Sequence, residues 1–335
     1  MKNRLTKQPP RLQEHHIRMP HQLARILRAS SVHSQGVTGR RIRIAVIDSG
    51  FYPHPYYVSR GYKIRYVPTS KEPSPHIDHY GHGTAHLSSL FAIAPAAEVL
   101  AIKCMDRDPS EAIEEALKLK PHILNCAWGF NIDHSELGGA GVPESYLRIH
   151  QLLLKAIAQG ITVIASAGNG QNAFPACMPE VIAAGGVYYG SGGNFSSSDA
   201  SSRFESTIFP GRKVPDVCGV VGNLPHGRLL LLPVPPRSRL TRQNSPFAMI
   251  AASDIAALTA MTEVEGWAMF SGTSAATAMV SGAVALMLEG NPALTPLQIR
   301  QCLIKSARSV TRPGDHESDP LLDVTAAVSL SSSYR

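Results

Sequence analysis

Short apolar runs alternate with longer amphipathic stretches along most of this chain. The run IRIAVI at residues 42–47 is rich in β-branched side chains, as expected of a buried parallel strand. Similar runs predict further strands at residues 96–102, 122–127, 161–166 and 181–184. Strands that alternate with helices indicate an α/β domain whose parallel sheet is covered by helices on both faces.

The stretches between these strands have the spacing of helices. Leu23 and Leu27 lie on one face of a helix predicted within residues 22–32. Pro109 and Ser110 open a helix whose acidic start and basic end complement the helix dipole. Further helices are predicted at residues 144–159, 274–289 and 295–307.

Two segments depart from the alternation. Residues 1–20 carry prolines and charges without a period and are predicted to form a flexible basic tail, which leaves residues 21–335 as the folded domain. Residues 223–266 interrupt the pattern as an insertion that begins as a strand, LLLLP, and continues as a proline-rich loop. The arginines after this loop could meet an acidic substrate or a partner domain, or could simply be solvated.

Composition narrows the range of functions. The 335 residues are 44% hydrophobic and 17% charged, which suits a large folded core and does not suit a disordered chain. The net charge is +7, and much of the positive charge lies in the first 43 residues. No aromatic residues alternate with these basic residues as a stacking surface would require, so we do not expect nucleic-acid binding.

The cysteines and the N-terminal residues indicate the cellular compartment of the protein. The five cysteines include no CxxC pair, which favours buried free thiols in a reducing compartment over disulfides or a zinc site. The first residues carry positive charge without a following apolar run, and no apolar stretch reaches the roughly 18 residues of a membrane span. We therefore expect a cytoplasmic protein without membrane contact.

Four residues carry groups that together could cleave an amide. Asp48 ends a strand in IAVIDSG, His82 lies between glycines in YGHGTAH, Asn169 follows a strand in ASAGNG, and Ser274 precedes an alanine-rich helix in FSGTSAATAM. A hydroxyl attacks an amide poorly unless a base takes its proton, and that base is usually a histidine held by a carboxylate. Hydrogen-bond donors must also face the oxygen that becomes negative.

Each of these residues alone has a simpler explanation. Asp48 could cap a turn, Ser274 could cap its helix, and Asn169 could belong to an Asn-Gly turn. Three histidines close together in the sequence could instead bind zinc, namely His79, His82 and His86. The glutamate of an HExxH motif is absent, which disfavours the zinc alternative.

Taken together and in this order, the motifs resemble those of the subtilisin family of serine peptidases. IAVIDSG, HGTAHLSSL and FSGTSAATAMVSG are similar to its Asp, His and Ser segments, and ASAGNG is similar to the segment of its oxyanion asparagine. The likeness covers residues 21–335 apart from the insertion. It implies a three-layer, subtilisin-like α/β fold and a serine endopeptidase that works through an acyl-enzyme, without a cofactor or a metal.

The resemblance also implies a role for each residue. Ser274 would be the nucleophile, His82 the general base and then acid, and Asp48 the group that orients His82. The Asn169 side chain and the Ser274 backbone N–H would form the oxyanion hole. An extended polypeptide substrate would bind along two segments, which consist of Ala127, Trp128 and Gly129 and of Ser166, Ala167 and Gly168.

The chain departs from the family pattern near the site. Ala278 stands where a proline usually follows the nucleophile, and we expect the chemistry to survive this change. Tyr56 replaces an aspartate that binds calcium, so we expect no calcium there. The segment CMDRDPSEAIEEA is shorter than its counterpart, which usually builds one rim of the cleft, so the subsites before the cut depart from the family pattern. Trp128 is bulkier than usual, which indicates a narrowed cleft. The pocket segments contain no acidic residue, so we expect apolar or small side chains before the cut. Residues 1–18 could act as a self-blocking tail.

Two other functions stay open on the sequence alone. The insertion and the narrowed cleft would suit a specialised peptidase or transpeptidase that acts on one precursor peptide. A catalytically inactive homologue that captures extended peptides is the second alternative. The four intact residues of the proposed site argue against it.

Overall fold

The protein is described by a computed structural model that covers residues 6–8, 16–106, 108–132, 141–222, 227–241, 266–311 and 317–334. In these ranges the strands are β1 His16–Ile17, β2 Arg43–Asp48, β3 Lys63–Val67, β4 Glu98–Lys103, β5 Ile123–Cys126, β6 Phe130–Asn131, β7 Thr162–Ser166, β8 Ala173–Phe174, β9 Ile182–Tyr189, β10 Phe195–Ser197, β11 Phe204–Glu205, β12 Lys213–Val214, β13 Val217–Val221, β14 Leu229–Pro233, β15 Trp267–Phe270, β16 Arg308–Thr311 and β17 Ser318–Leu321. The helices are α1 His21–Ile26, α2 Ala29–Ser34, α3 Pro55–Val58, α4 His82–Ile93, α5 Ser110–Lys118, α6 Leu147–Ala158, α7 Thr273–Gly290, α8 Pro296–Ser306 and α9 Val324–Ser331.

A ten-stranded, mainly parallel sheet forms the centre of the described part of the chain. Its strand order is β16-β17-β13-β9-β7-β5-β2-β4-β3, and β10 pairs with β9. β10 runs antiparallel to β9, and the edge strand β16 runs antiparallel to β17. The predicted α/β fold with a mainly parallel central sheet is thus confirmed, and the predicted strands correspond to β2, β4, β5, β7 and β9.

Alternate residues of the central strands face two different apolar cores. In β2, Ile44 and Val46 belong to the core shared with α4 and α7. Ala45 and Ile47, which point to the opposite face, belong to the core shared with α5 and α6. A strand buried on both faces must be apolar throughout, which explains the continuous run IRIAVI.

The helix predicted within residues 22–32 is in fact two short helices, α1 and α2. Arg28, which separates them, has φ 61°, in the left-handed region that a helix does not use. Its guanidinium Nη1 lies 2.7 Å from Asp323 Oδ2 at the start of α9. A contact with a distant segment therefore accompanies the break, and local spacing does not reveal it.

A smaller sheet combines segments from distant parts of the sequence. β14 pairs antiparallel with β15 and parallel with β1. The Trp267 indole N–H donates to Thr6 Oγ1 at 2.9 Å. The strand predicted at LLLLP is β14, and all of its residues are buried. Of the predicted tail and insertion, residues 1–5, 9–15, 223–226 and 242–265 lie outside the described residues.

Two general properties of the chain follow from the same structure. Across the described ranges, no helix has both the length and the apolar character needed to cross a membrane. All five cysteines are free thiols, and each except Cys104 is buried.

Candidate active site

The predicted catalytic residues lie at one edge of the central sheet. Asp48 is the last residue of β2, and Asn169 lies three residues beyond β7. His82 is the first residue of α4, and Ser274 is the second residue of α7. Because parallel strands end at the same edge of a sheet, side chains at these positions meet there. All four line one cavity of about 370 Å³.

Asp48 and His82 form a direct hydrogen bond. His82 Nδ1 lies 2.7 Å from Asp48 Oδ1, and the Asp48 side chain is almost fully buried. The Ser49 backbone N–H also donates to Asp48 Oδ1, at 2.7 Å. A carboxylate held in this way at a strand end can fix both the orientation and the tautomer of the imidazole.

A second buried carboxylate, Asp78, links the chain that follows Asp48 to the chain around His82. Its Oδ1 accepts from Ser49 Oγ at 2.9 Å and from the Gly81 N–H at 2.7 Å. Its Oδ2 accepts from the Thr84 N–H and hydroxyl at 3.1 and 2.6 Å. Burial raises the pKa of Asp78, and these hydrogen bonds oppose that rise. The sequence analysis missed Asp78, although it lies only four residues before His82.

The imidazole of His82 is tuned by opposing effects. Burial lowers the pKa of His82, but the charge and the hydrogen bond of Asp48, together with the charge of Asp78, outweigh burial and raise the pKa above its usual value. The ring of His86 packs edge-on against His82, with ring centroids 4.1 Å apart. Burial, and then the charge of His82, lower the pKa of His86 well below its usual value, so His86 stays neutral.

The first turn of α7 positions Ser274 beside Asn169. The Ser274 hydroxyl donates to the Ala127 carbonyl oxygen at 2.9 Å. Asn169 Oδ1 accepts from the Thr273 N–H at 2.9 Å and from the Thr273 hydroxyl at 3.1 Å. With its oxygen bound in this way, the Asn169 amide keeps its N–H groups as donors.

Most of the predicted substrate-binding residues line the same cavity, namely Ala127, Trp128, Gly129, Ser166 and Gly168. Ala167 does not line the cavity, because its side chain is buried in the core beneath α5 and α6. Gly168 has φ 109°, and a Cβ there would lie 2.6 Å from the Gln171 carbonyl oxygen. A side chain at position 168 would therefore disturb this wall.

Several cavity residues were not identified from the sequence. They include Tyr80, Met105, Phe130 and Arg239. Arg239 comes from the chain that follows β14, and nothing in its local sequence predicts that this segment reaches the cavity. None of the described residues at positions 6–8 and 16–20 lines the cavity.

The three histidines that could bind zinc, His79, His82 and His86, do not form a metal site in the described part of the chain. Within the described ranges, no group of three or more His, Cys, Asp or Glu side chains is arranged to hold a metal ion. His82 and His86 are in ring contact, but His79 does not complete a metal site with them.

Sequence comparisons agree with the geometry. The model of the Subtilase family matches residues 39–321. Subtilisin E of Bacillus subtilis is 28% identical over 306 residues, which covers 84% of this chain and 64% of subtilisin E. A subtilisin of Bacillus pumilus is 27% identical and is covered over 89% of its length. The chain thus spans slightly less than two thirds of the first relatives that it matches.

Solved structures with the same fold include a maturation protease and a lanthipeptide protease. The prenylagaramide maturation protease PagA has a TM-score of 0.63 and 20% identity, with 92% of this chain and 99% of that chain covered. A lanthipeptide protease has a TM-score of 0.67 and 17% identity, with 92% and 93% covered. At these identities the likeness concerns the subtilisin-like fold alone.

Proposed function

This chain belongs to the subtilase family of serine peptidases, and from that premise we propose that it is a serine endopeptidase that acts through Ser274, His82 and Asp48. The observation that carries the proposal is the convergence of these three side chains and Asn169 on one cavity at the carboxyl edge of the sheet. We propose further that residues 21–335 form the peptidase domain and that the reaction needs no cofactor.

In the proposed reaction, His82 takes the proton of the Ser274 hydroxyl while Ser274 Oγ bonds to the substrate carbonyl carbon. The C–N bond then breaks, the amine leaves with the proton from His82, and an acyl-enzyme ester results. Water, deprotonated by His82, hydrolyses this ester and restores Ser274. The 2.7 Å contact with Asp48 supports the assignment of Nδ1 as the protonated nitrogen, which leaves Nε2 as the base.

Substrate binding would prepare Ser274 for this step. In the free protein its hydroxyl donates to the Ala127 carbonyl oxygen at 2.9 Å. A peptide strand that pairs with residues 127–129 offers its own N–H to that carbonyl, which releases the hydroxyl to turn toward His82. The oxyanion that forms would accept hydrogen bonds from the Asn169 amide and from the Ser274 N–H at the start of α7.

A specialised processing peptidase is a second candidate. Trp128 is bulkier than usual for the family, and it packs with Phe130 beside the cavity, with ring centroids 5.5 Å apart. A narrowed cleft of this kind suits one extended precursor peptide. The structural likeness to a maturation protease and a lanthipeptide protease supports this candidate. Transfer of the acyl group to an amine instead of water would use the same residues.

The test is labelling of the purified protein with a fluorophosphonate, followed by mass mapping of the adduct. We expect one adduct, on Ser274, that is abolished by Ser274→Ala and by His82→Ala but kept in Ser30→Ala, which changes an exposed serine of α2. A folded wild-type protein that stays unlabelled would refute an activated nucleophile and would favour the inactive peptide-binding homologue. Digestion of casein, compared with defined peptides, separates the general peptidase from the processing enzyme.

A further inference from the structure

The turn after β14 is packed against the loop that leads into His82. The Arg239 N–H donates to the His79 carbonyl oxygen at 3.0 Å. Gly81 is in tight contact with the same turn, since a Cβ on Gly81 would lie 2.9 Å from Ser238 Oγ. The backbone that carries Arg239 is therefore fixed beside the catalytic histidine.

Arg239 brings a positive charge to the cavity that the described residues do not neutralise. Its side chain is exposed, and within the described part of the chain it forms no ion pair. Asp106, the exposed acid that lines the same cavity, is bound by Lys71 at 3.2 Å. Asp48 is buried and bound to His82. Among the described residues, Arg239 is thus a cation of the cavity without an ion-pair partner.

The pKa of Tyr80 agrees with a position of the Arg239 guanidinium near the loop before His82. Burial raises the pKa of Tyr80, the charge of Asp48 raises it further, and the charge of Arg239 lowers it. The guanidinium therefore acts on a side chain two residues before His82.

The geometry of an extended peptide decides which substrate residue would meet Arg239. Successive side chains of a strand point to opposite sides. If the residue before the cut (P1) enters the pocket at residues 166–168, its two neighbours point away from that pocket, and one of them would be the residue that meets Arg239. These neighbours are the preceding residue (P2) and the following residue (P1′).

We propose that Arg239 is a specificity-determining residue that binds a Glu or Asp side chain of the substrate at P2 or P1′. A guanidinium forms paired, charge-assisted hydrogen bonds with a carboxylate, and a peptide amide or hydroxyl cannot match them. Met105, Trp128 and Phe130 supply apolar surface elsewhere in the same cavity. The preferred substrate is accordingly a peptide that has an acidic residue next to apolar residues at the cleavage site. This inference rests on the proposed peptidase function.

The test compares peptides that differ only by Glu or Gln at P2 or at P1′. For wild type we expect kcat/KM to be higher for Glu at one of these positions by about tenfold, the effect of one charge-assisted hydrogen bond in a partly exposed site. For peptides that are bound but not cleaved, the concentration that halves the rate of fluorophosphonate labelling at Ser274 is measured instead. The preference should weaken as salt is added.

Variants of the same turn supply the controls. Arg239→Gln should remove the preference, Arg239→Lys should keep part of it, and Arg239→Glu should favour Lys over Gln at that position. Arg237→Gln, which changes an exposed arginine outside the cavity, should leave the preference intact. Thermal unfolding of each variant verifies its fold.

The experiment distinguishes failure of the proposed peptidase function from failure of the proposed role of Arg239. An unlabelled wild-type protein contradicts the proposed function. A labelled wild-type protein that treats Glu and Gln peptides alike overturns the role of Arg239, as does a folded Arg239→Gln variant that keeps the full preference.

Discussion

Substitution of Gly83 by alanine tests whether close packing holds His82 and Asp48, the proposed catalytic pair, in place. Gly83 directly follows His82, and its N–H donates to Ser49 Oγ at 3.0 Å. A Cβ on Gly83 would lie 2.3 Å from the Gly50 carbonyl oxygen and 2.9 Å from Asp48 Cβ. Ordinary van der Waals contact begins at 3.4 Å, so the first distance is short by about 1 Å.

Relief of this clash requires movement of one of the two segments that carry Asp48 and His82. Either the first turn of α4 or the chain after β2 must move by about 1 Å, which separates His82 from Asp48. Misplacement by about 1 Å costs roughly 100-fold in rate, and overpacking of this kind costs about 1–3 kcal/mol of stability. The pKa of His82 should also fall, because the charge and hydrogen bond of Asp48 are what raise it.

The assay is the second-order rate of fluorophosphonate labelling, with thermal unfolding measured on the same samples. Gly290→Ala is the matched control, because a Cβ there meets no atom within 4 Å. We expect the control to label at the wild-type rate and Gly83→Ala to label about 100-fold more slowly while still folded. A Gly83→Ala protein that is folded and labels at the wild-type rate would refute this account of how the pair is positioned.

Two pH dependences follow from the histidines. The rate of labelling should increase with pH as His82 loses its proton, with a midpoint above about pH 6.5 because the pKa of His82 is raised. Asp48→Asn should lower this midpoint, and it should lower the labelling rate by roughly 10⁴. Asp48 stabilises the folded protein through protonated His82, and this stabilisation is complete below about pH 6.5. It is lost as the pH rises through the folded-state pKa of His82. The free energy of unfolding should therefore decrease with pH over the range in which the labelling rate increases. Burial lowers the pKa of His54 to about 4, so stability should fall by on the order of 3 kcal/mol between about pH 6.5 and 4. His54→Asn keeps an acceptor for the Tyr56 N–H and should flatten this slope in denaturant titrations; a slope equal to that of wild type would contradict the assignment.

The strands and the edge that carries the candidate site were predictable because they depend on short-range patterns. A parallel strand buried on both faces needs an unbroken apolar run, and β2 has one. Asp48 interrupts that run at its carboxyl end, where parallel sheets present their functional residues. The same rule applies to Ala127 after β5 and to Asn169 after β7. Local sequence therefore sufficed to predict that these side chains share one edge.

Contacts between distant segments could not be predicted in this way. Asp78 resembles any polar loop residue until Ser49 and Thr84 are placed around it. Arg239 lies in a segment without a regular pattern, and the packing of its turn against the loop before α4 places it at the cavity. The pairing of β1 with β14 likewise joins residues far apart in the sequence.

The small residues of the chain connect its composition to the geometry of the site. The abundant glycines suggest tight turns, yet Gly282 lies inside α7, where a Cβ would come within 2.7 Å of Ile93 Cβ in α4. A Cβ on Gly219 of β13 would come within 2.8 Å of the α7 backbone. Because α4 begins at His82 and α7 carries Ser274 in its first turn, any residue that forced these elements apart would also change the distance between base and nucleophile. The close packing of this core therefore sets the spacing on which the proposed chemistry depends.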